Sequence, residues 1–225
     1  MKILIIEDEK SLNDSVLEYL HEDGHVCEAV YTYNDAVEKI ELYNYDCIVV
    51  DINLPDGSGL DIIKRLKKSL KSPGIVIISA RNSLENRIEG LDTGADHYLT
   101  KPFHLAELNA HLKSINRRIN FNGNEEIIVN EIKLLPNEHT VFVNDKEVKL
   151  TKKEYELLVF FISNKNKVIT KSSLAEHLWG DYMDTADSFD FIYTHIKNLR
   201  SKLLKEGCED YIKTVYAVGY KFDLS

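Results

Sequence analysis

With 225 residues, 44% of them hydrophobic and 29% charged, the chain has a globular balance and is long enough for two domains. It contains no run of about eighteen apolar residues and no signal-peptide pattern, so we expect a soluble, cytoplasmic protein without a membrane span. The net charge of −9 divides into −6 for residues 1–118 and −3 for residues 119–225. Neither half is basic, and composition alone therefore does not favour binding to nucleic acid.

The first half alternates short apolar segments with amphipathic helical ones. The predicted strands are Lys2–Ile6, Val26–Ala29, Cys47–Val50, Ile75–Ile78 and Tyr98–Leu99. Helical patterns occupy residues 10–22, 33–43, 58–69, 84–92 and 103–117. Five β–α repeats predict an α/β fold with a doubly wound, five-stranded parallel sheet and helices on both faces. Ligands of such sheets bind at the carboxyl ends of the strands, so polar residues at those ends are candidate site residues.

The second half opens with short strands and then changes to a helical period. The predicted strands are Glu126–Val129, Ile132–Leu135, Thr140–Val143 and Glu147–Leu150. Thr151 and Glu154 match a capping box at the start of a helix, and further helices are predicted at residues 171–179 and 187–204. Ile212–Val215 and Val218–Phe222 predict a closing hairpin around Ala217. We therefore expect an α+β domain over residues 126–225, joined to a domain over residues 1–118 by a polar linker, residues 119–125.

The three cysteines are an odd number and lack the spacing of metal ligands. They are Cys27, Cys47 and Cys208, and two of them lie beside strand-like apolar residues. We interpret them as reduced thiols, in keeping with a cytoplasmic protein.

Carboxylates end two of the predicted strands. Glu7 and Asp8 follow the first strand, and Asp51 follows the third, so the three converge if those strands are neighbours. Carboxylates this close repel one another unless a hard cation lies among them, and Mg²⁺ prefers oxygen ligands. The alternative is that acidic residues simply cap helices at these turns. For Glu7 and Asp8 taken alone, the two interpretations are equally supported.

Two further strand ends favour the metal interpretation. Ser79 follows the fourth predicted strand, and Lys101 follows the fifth. A lysine among carboxylates is also compatible with a plain salt bridge. Acids, a hydroxyl and a lysine at successive strand ends are nevertheless the groups needed to transfer a phosphoryl group to a carboxylate, with Asp51 as the nucleophile.

These motifs resemble those of receiver domains, which have a flavodoxin-like fold. The matching segments are Ile5–Glu9, Val49–Gly57, Ile77–Ala80 and Tyr98–Phe103. The resemblance implies that Asp51 accepts a phosphoryl group from a sensor histidine kinase. It also implies that Glu7, Asp8, Asp51 and the backbone carbonyl of Asn53 bind Mg²⁺, and that Lys101 contacts the phosphoryl group.

The same resemblance gives Ser79 and Tyr98 a switching role on activation, although Tyr98 taken alone is equally typical of a core aromatic residue. It implies a regulator rather than an enzyme, with at most slow self-phosphorylation from small phosphodonors and autodephosphorylation.

The second half resembles the winged-helix DNA-binding domain of OmpR/PhoB-type response regulators. The matching segments are Val148–Leu158, Ile169–Lys171, Leu178–Gly180, Thr194–Leu203 and Ile212–Tyr220. By this resemblance, helix 187–204 and the C-terminal hairpin, or wing, bind promoter DNA, with Asn198 contacting a base and Arg200 a phosphate. The full set of expected DNA-binding residues is His195, Lys197, Asn198, Arg200, Lys202, Tyr216 and Lys221. A solvated basic helix face is the alternative interpretation of the charges on this helix.

Some positions depart from the family pattern. Tyr216 stands where a wing arginine commonly enters the minor groove, Asp190 where arginine is common, and Tyr193 where aspartate is common. We therefore expect helix–DNA contacts that differ from those of the best-known members, and the target sequence does not follow from the resemblance.

Phosphorylated members of this family form homodimers through the fourth helix, fifth strand and fifth helix of the receiver. By resemblance, Arg87 and Glu107 match one ion pair between subunits, and His97 and His111 stand where a second pair is usual. Two imidazoles cannot form that ion pair, so we expect a weaker, pH-dependent dimer. The alternative is that both histidines are exposed and without effect, or that Asp96 or Asp92 compensates a charged His111. RNA polymerase is a further partner compatible with the resemblance.

Two rival functions remain for this sequence. An acylphosphatase-type or haloacid-dehalogenase-like phosphatase would also form an aspartyl phosphate, but such an enzyme needs a second aspartate two residues after the nucleophile, where this chain has Asn53. The second rival is a regulator whose second half binds protein, which would suit the net charge of −3.

Overall fold

The computed structural model describes residues 1–68, 73–121, 123–124, 126–136, 138–180 and 189–224, without the side chains of residues 120 and 121. The chain divides into two compact units, Met1–Asn116 and Arg117–Ser225. The division falls two residues before the boundary expected from the sequence.

The first unit is built on a parallel sheet, which confirms the predicted fold class. In chain order its strands are β1 (Lys2–Ile6), β2 (Val26–Val30), β3 (Cys47–Asp51), β4 (Asn53–Leu54), β5 (Gly57–Ser58), β6 (Gly74–Ser79) and β7 (His97–Thr100). The main sheet has the order β2-β1-β3-β6-β7, and β4 pairs only with β5. The strand order reverses direction next to β1, so the ends of β1 and β3 border the crevice where such sheets bind ligands.

Five helices cover the two faces of this sheet. They are α1 (Lys10–Glu22), α2 (Tyr33–Leu42), α3 (Gly59–Lys68), α4 (Leu84–Asp92) and α5 (Leu105–Phe121). Successive strand residues point to opposite faces, so Ile3 and Ile5 join a core with α1 and α5, whereas Leu4 and Ile6 join a core with α2 and α3. Both faces are buried, which explains why these strands are apolar throughout instead of alternating.

Helix α4 packs less closely than its neighbours. Gly90 is its only buried residue, and a Cβ added there would lie 2.8 Å from the ring of Tyr98. Three of its apolar residues, Leu84, Ile88 and Leu91, are exposed. Their spacing places them on one side of the helix, which leaves an apolar stripe on the surface of the first unit.

Helix α5 is longer than the sequence predicted. It reaches Phe121, so the first three residues of the predicted linker, residues 119–125, are helical. No glycine or proline interrupts the helix before Gly123, whose φ of +80° is outside the helical range. Residues 122 and 125 lie outside the described part of the chain.

The described residues of the second unit form two antiparallel sheets and three helices. Its elements are β8 (Ile127–Val129), β9 (Ile132–Leu135), β10 (Thr140–Val143), β11 (Lys146–Glu147), α6 (Lys152–Ser163), β12 (Val168–Thr170), α7 (Lys171–Trp179), α8 (Asp190–Lys205), β13 (Ile212–Val215) and β14 (Gly219–Phe222). One sheet has the order β11-β10-β9-β8 and the other β12-β14-β13. The predicted capping box of α6 is present, since Thr151 and Glu154 bond each other's backbone N–H.

Two strands of the second unit differ from the prediction by more than one residue at an end. Asn144 and Asp145 both have positive φ, so the turn is two residues long and Val143 pairs with Lys146 at once. Strand β11 is therefore Lys146–Glu147 instead of Glu147–Leu150. Strand β12 was not predicted, because three residues are too few for alternation to show and pairing with β14 defines it. Residues 187 and 188 of the predicted third helix lie outside the described residues.

The three cysteines are buried and form no disulfide with one another, as expected for reduced thiols. Burial raises the pKa of Cys27 to about 12. Burial also raises the pKa of Cys208 to about 12, with a further contribution from the neighbouring carboxylate of Glu131. Both thiols are consequently poor nucleophiles at neutral pH. Among the helices that the structure describes, none combines the length and apolar character that a membrane span requires.

Candidate functional site

The carboxylates of Glu7, Asp8 and Asp51 converge at the carboxyl end of the parallel sheet. One oxygen of each lies within 4.8 Å of the others. Glu7 and Asp51 are buried, whereas Asp8 is exposed and opens the group to solvent. Oxygen ligands of this number and charge fit a hard divalent cation that retains some of its waters, as Mg²⁺ does. The residues present therefore suit the metal that the sequence implies.

Lys101 joins this acidic group from the end of β7. Its Nζ lies 2.6 Å from Asp51 Oδ2 and 2.6 Å from Glu7 Oε2. Burial alone would lower the pKa of Lys101, but hydrogen bonds to Asp51 and Glu7 outweigh it and raise the pKa. The ammonium is thus held in its charged form between the two carboxylates. For Glu7, burial raises the pKa even though Lys101 opposes the shift.

Ser79 and Tyr98 lie on the neighbouring strands β6 and β7 and share one partner. Ser79 is fully buried, and its hydroxyl accepts a hydrogen bond from the backbone N–H of Arg81 (3.2 Å). The hydroxyl of Tyr98 donates to the backbone carbonyl of the same Arg81 (2.7 Å). The loop after β6 is therefore bonded both to the serine and to the aromatic residue that the sequence singled out.

Arg81 is a residue of the pocket rim that the sequence analysis missed. Its guanidinium donates to the side-chain oxygen of Asn53 (2.6 Å), and the N–H of Asn53 donates to Asp51 Oδ1 (3.0 Å). These contacts join the loops after β3 and β6 across the mouth of the pocket. In the sequence, the position of Arg81 two residues after Ser79 is only weak evidence for a role in the pocket, because an arginine in a polar loop is usually solvated.

The exposed side of α8 carries only part of the expected DNA-binding set. Ile192, Ile196, Leu199 and Leu203 are buried. Lys197 and Asn198 lie on the opposite side and are exposed. Within the described residues, neither Lys197 nor the nearby Lys205, which the sequence analysis passed over, forms an ion pair.

Other members of the predicted set contact the protein itself. Arg200 Nε donates to Asp210 Oδ1 (3.1 Å), and a second guanidinium nitrogen donates to the other oxygen. Lys202 Nζ lies 2.6 Å from Oε2 of Glu154, in the capping box of α6. The ring of His195 lies 5.4 Å from that of Trp179. These three side chains thus have partners within the protein, whereas Lys197 and Asn198 are exposed to solvent.

The hairpin of β13 and β14 presents the remaining two predicted residues. Ala217 adopts a positive φ in its turn, and Tyr216 beside it is 94% exposed. Lys221, on β14, forms an ion pair with Asp223 (3.1 Å). The tip of the hairpin therefore offers an aromatic ring, while the nearby lysine is engaged along the strand.

The residues predicted for a dimer surface lie on α4, β7 and α5. Arg87 and Glu107 are exposed. His97 and His111 are half-buried, and their rings lie 4.1 Å apart with an interplanar angle of 35°. The two imidazoles are therefore direct neighbours within one chain.

Two family models match the chain, one for each unit. A response regulator receiver domain matches residues 3–113, and the C-terminal domain of transcriptional regulatory proteins matches residues 145–222. The phosphate regulon transcriptional regulatory protein PhoB of Klebsiella pneumoniae is 35% identical over 98% of this chain and 97% of that protein. The response regulator ArlR of Staphylococcus aureus is 37% identical over 97% of this chain and 98% of that protein.

A solved receiver structure supports the same assignment. The receiver domain of the Francisella response regulator 1452 is 34% identical and has a TM-score of 0.51, over 52% of this chain and 97% of that chain. A receiver followed by a DNA-binding domain implies a histidine kinase and DNA as partners. The chain belongs to the OmpR/PhoB-type response regulators and is a transcriptional regulator of a two-component system.

Proposed function

We propose that Asp51 is the residue that accepts the phosphoryl group from the kinase. The observation that carries this proposal is the position of Asp51 against both Lys101 and the other two acidic side chains. In the proposed site, Glu7, Asp8 and Asp51 hold Mg²⁺ together with the backbone carbonyl of Asn53. A bound Mg²⁺ would supply positive charge close to the oxygens of the transferred group.

The residues of the chain divide the remaining work. A carboxylate oxygen of Asp51 attacks phosphorus, and the bond from phosphorus to the donor's nitrogen or oxygen breaks as the new bond forms. Lys101 keeps its proton and neutralises a phosphoryl oxygen, while the Ser79 hydroxyl donates to another. A regulator does not turn over a substrate. We therefore expect only slow self-phosphorylation of the chain from small donors and slow release of phosphate.

Intact mass measurement tests the assignment. Incubation with acetyl phosphate and Mg²⁺ should add one phosphoryl group to the full chain, and omission of Mg²⁺ should prevent it. Asp51→Asn should abolish the shift, whereas Asp14→Asn, an exposed position on α1, should leave it unchanged. A full shift retained in Asp51→Asn would refute the proposal.

We further propose that α8 and the hairpin of β13 and β14 bind promoter DNA. Lys197 and Asn198 occupy the side of α8 that would enter the major groove, with Asn198 contacting adenine, and Tyr216 packs in the minor groove. Arg200 and Lys221 contact phosphates while their acidic partners orient them. His195 and Lys202 support the helix from its flank. DNA as the partner places this activity in the cytoplasm.

Gel-shift selection from random duplexes, with and without phosphodonor, tests this second proposal. We expect the full chain to enrich a defined sequence, and phosphorylation to strengthen its binding. Failure to enrich any sequence in either state would favour the rival function, in which the second unit binds protein.

For the phosphorylated state, we propose a homodimer through α4, β7 and α5. The exposed apolar side chains of α4 support it, because such a stripe is stabilised when a partner covers it. Arg87 and Glu107 lie on the same elements and would pair between subunits. A dimer would present two copies of α8 to the promoter and leave other surfaces for RNA polymerase.

A further inference from the structure

Tyr193 is an exposed aromatic residue without a role in the proposed DNA contacts. Its side chain lies on α8 and is 63% exposed. Tyrosine is enriched at the centres of binding surfaces, because its ring contributes contact area and its hydroxyl contributes a hydrogen bond. The position of Tyr193 on the helix shows which contact it could make.

Tyr193 belongs to the side of α8 that faces the hairpin. It shares one stripe of the helix with Lys197 and Arg200, because residues at i, i+4 and i+7 lie on the same side. The ion pair of Arg200 with Asp210, which lies two residues before β13, shows where this stripe points. Tyr193 therefore lies on the side of α8 whose Arg200 reaches the segment that leads into the hairpin. We call the space between α8 and the hairpin the cleft.

Tyr220 supports this placement from the other wall of the cleft. It lies on β14, with its ring buried. Burial raises the pKa of Tyr220, the neighbouring phenol of Tyr193 raises it further, and Arg200 opposes the shift. Tyr193 is thus a neighbour of Tyr220 on β14, and its own side chain remains largely exposed.

A strand of DNA has to pass along this cleft if α8 enters the major groove and the hairpin enters the adjacent minor groove, because the sugar–phosphate backbone separates the two grooves. We propose that the Tyr193 hydroxyl donates a hydrogen bond to a phosphate oxygen of that strand and positions α8 without reading sequence. This inference rests on the proposed function of α8 and the hairpin. It distinguishes Tyr193 from Lys197, since an uncharged donor releases no counterion from DNA.

Fluorescence anisotropy with the full chain tests the contact on a selected duplex and on a scrambled one. Tyr193→Phe removes only the hydroxyl and should weaken binding to both duplexes by about tenfold, as expected for loss of a hydrogen bond to a charged acceptor. The slope of log affinity against log salt should not change. Lys197→Ala should reduce that slope by about 0.9, the value for one lost phosphate contact. Tyr31→Phe, at an exposed position of the first unit, is the matched control and should bind normally.

Neutral methylphosphonates, introduced one phosphate at a time, locate the acceptor. When the methylphosphonate replaces the phosphate that accepts from Tyr193, it already weakens that hydrogen bond. On this duplex Tyr193→Phe should cause no further loss of affinity. Binding of Tyr193→Phe within about twofold of the natural protein overturns the inference, since that is well below the worth of such a bond. A loss confined to the selected duplex also overturns it. If Lys197→Ala and Asn198→Ala weaken DNA binding while Tyr193→Phe does not, only the inference about Tyr193 is wrong. If none of the three variants weakens DNA binding, the proposed DNA-binding role of α8 is wrong.

Discussion

Ion pairs have opposite consequences in the acidic pocket of the first unit and on helix α8 of the second. In the pocket, Lys101 lies between Glu7 and Asp51, and these contacts assemble the proposed site. On α8, Arg200 and Lys202 pair with acidic side chains of other segments, and these contacts neutralise two cations that the sequence assigned to DNA binding. A charged residue is thus informative about function only once its nearest partner is known.

The difference follows from how each element delivers its side chains. Parallel strands all end at one edge of the sheet, so polar residues at the ends of β1, β3 and β7 lie along that edge. A helix points side chains in all directions, and those on its flanks meet whatever packs beside it. Lys202 contacts Glu154 because α6 packs against α8, although these two residues are 48 positions apart in sequence.

The largest expected effect concerns the cation of the pocket. Lys101→Met should slow phosphorylation by acetyl phosphate about 100-fold or more, as is usual when a group that stabilises developing charge is removed. Time courses of intact mass measure the rate. Lys64→Met, an exposed lysine of α3 bonded to Asp61, is the control. Normal phosphorylation of Lys101→Met would show that its ion pairs are structural, like those of α8.

Next in size is the loss of a base contact from α8. Asn198→Ala should cost about 1–3 kcal/mol of binding free energy, mainly at one base pair, because a paired amide discriminates adenine from other bases. Competition among duplexes that differ at single positions measures this loss. Asn34→Ala, in the first unit, should bind normally. Equal losses on selected and scrambled duplexes would place Asn198 among backbone contacts instead.

The ion pair of Lys202 predicts an effect on stability rather than on DNA affinity. Lys202→Ala leaves the carboxylate of Glu154 buried without its cation. We expect a loss of about 1–2 kcal/mol in the free energy of unfolding, less than for a fully buried pair because Lys202 is 37% exposed. Fluorescence of Trp179, the only tryptophan, follows unfolding of the second unit.

Lys205→Ala, at an exposed position of the same helix, is the control and should change stability by less than about 0.5 kcal/mol. Burial alone would raise the pKa of Glu154, but hydrogen bonds from Lys202 and the Thr151 N–H outweigh it and lower the pKa. The pair therefore stabilises the protein above the usual glutamate range of about pH 4, and the difference between Lys202→Ala and the natural protein should shrink as the pH falls below it. If Lys202→Ala weakened DNA binding and left the free energy of unfolding unchanged, Lys202 would be a DNA-contacting residue and the prediction would be wrong.

A smaller effect is expected at the rim of the pocket. Arg81→Ala removes the contact with Asn53 and should open the phosphorylated side chain to water. We expect the phosphoryl group to be lost about threefold faster, equivalent to less than about 1 kcal/mol. The decay of the added mass after removal of acetyl phosphate measures this rate. Arg65→Ala, an exposed arginine of α3, is the control, and an unchanged lifetime in Arg81→Ala would mean that the rim does not shield the site.

The smallest expected effect concerns dimer formation. Protonation of both His97 and His111 would place two positive charges on rings only 4.1 Å apart, on the proposed dimer surface. Sedimentation of the beryllofluoride-activated protein should show dimers about threefold weaker at about pH 6 than at about pH 8, a range that spans the usual titration of histidine. His111→Gln should abolish that dependence. Association that is unchanged or tighter at the lower pH would rule the idea out.

Some of the fold and of the candidate site could be predicted from the sequence because the signals are local. The continuous apolar runs around Ile5 and Val49 indicate strands that are buried on both faces, and the residues after them have to lie at the edge of the sheet. The capping box of Thr151 and Glu154 is likewise contained in four residues. Each of these features needs only neighbouring residues and the geometry of one element.

The sequence by itself therefore determined which polar residues lie at the ends of the parallel strands, and these are the residues of the pocket. It also determined which residues form the apolar and the polar side of α8. Only the tertiary structure decided which charged side chains of α8 form ion pairs, because the partners of Arg200 and Lys202 come from other segments of the chain. It also decided the bond between Arg81 and Asn53 across two loops. A helical period defines a face but not what packs against it, so contacts between distant segments had to be seen in the folded chain.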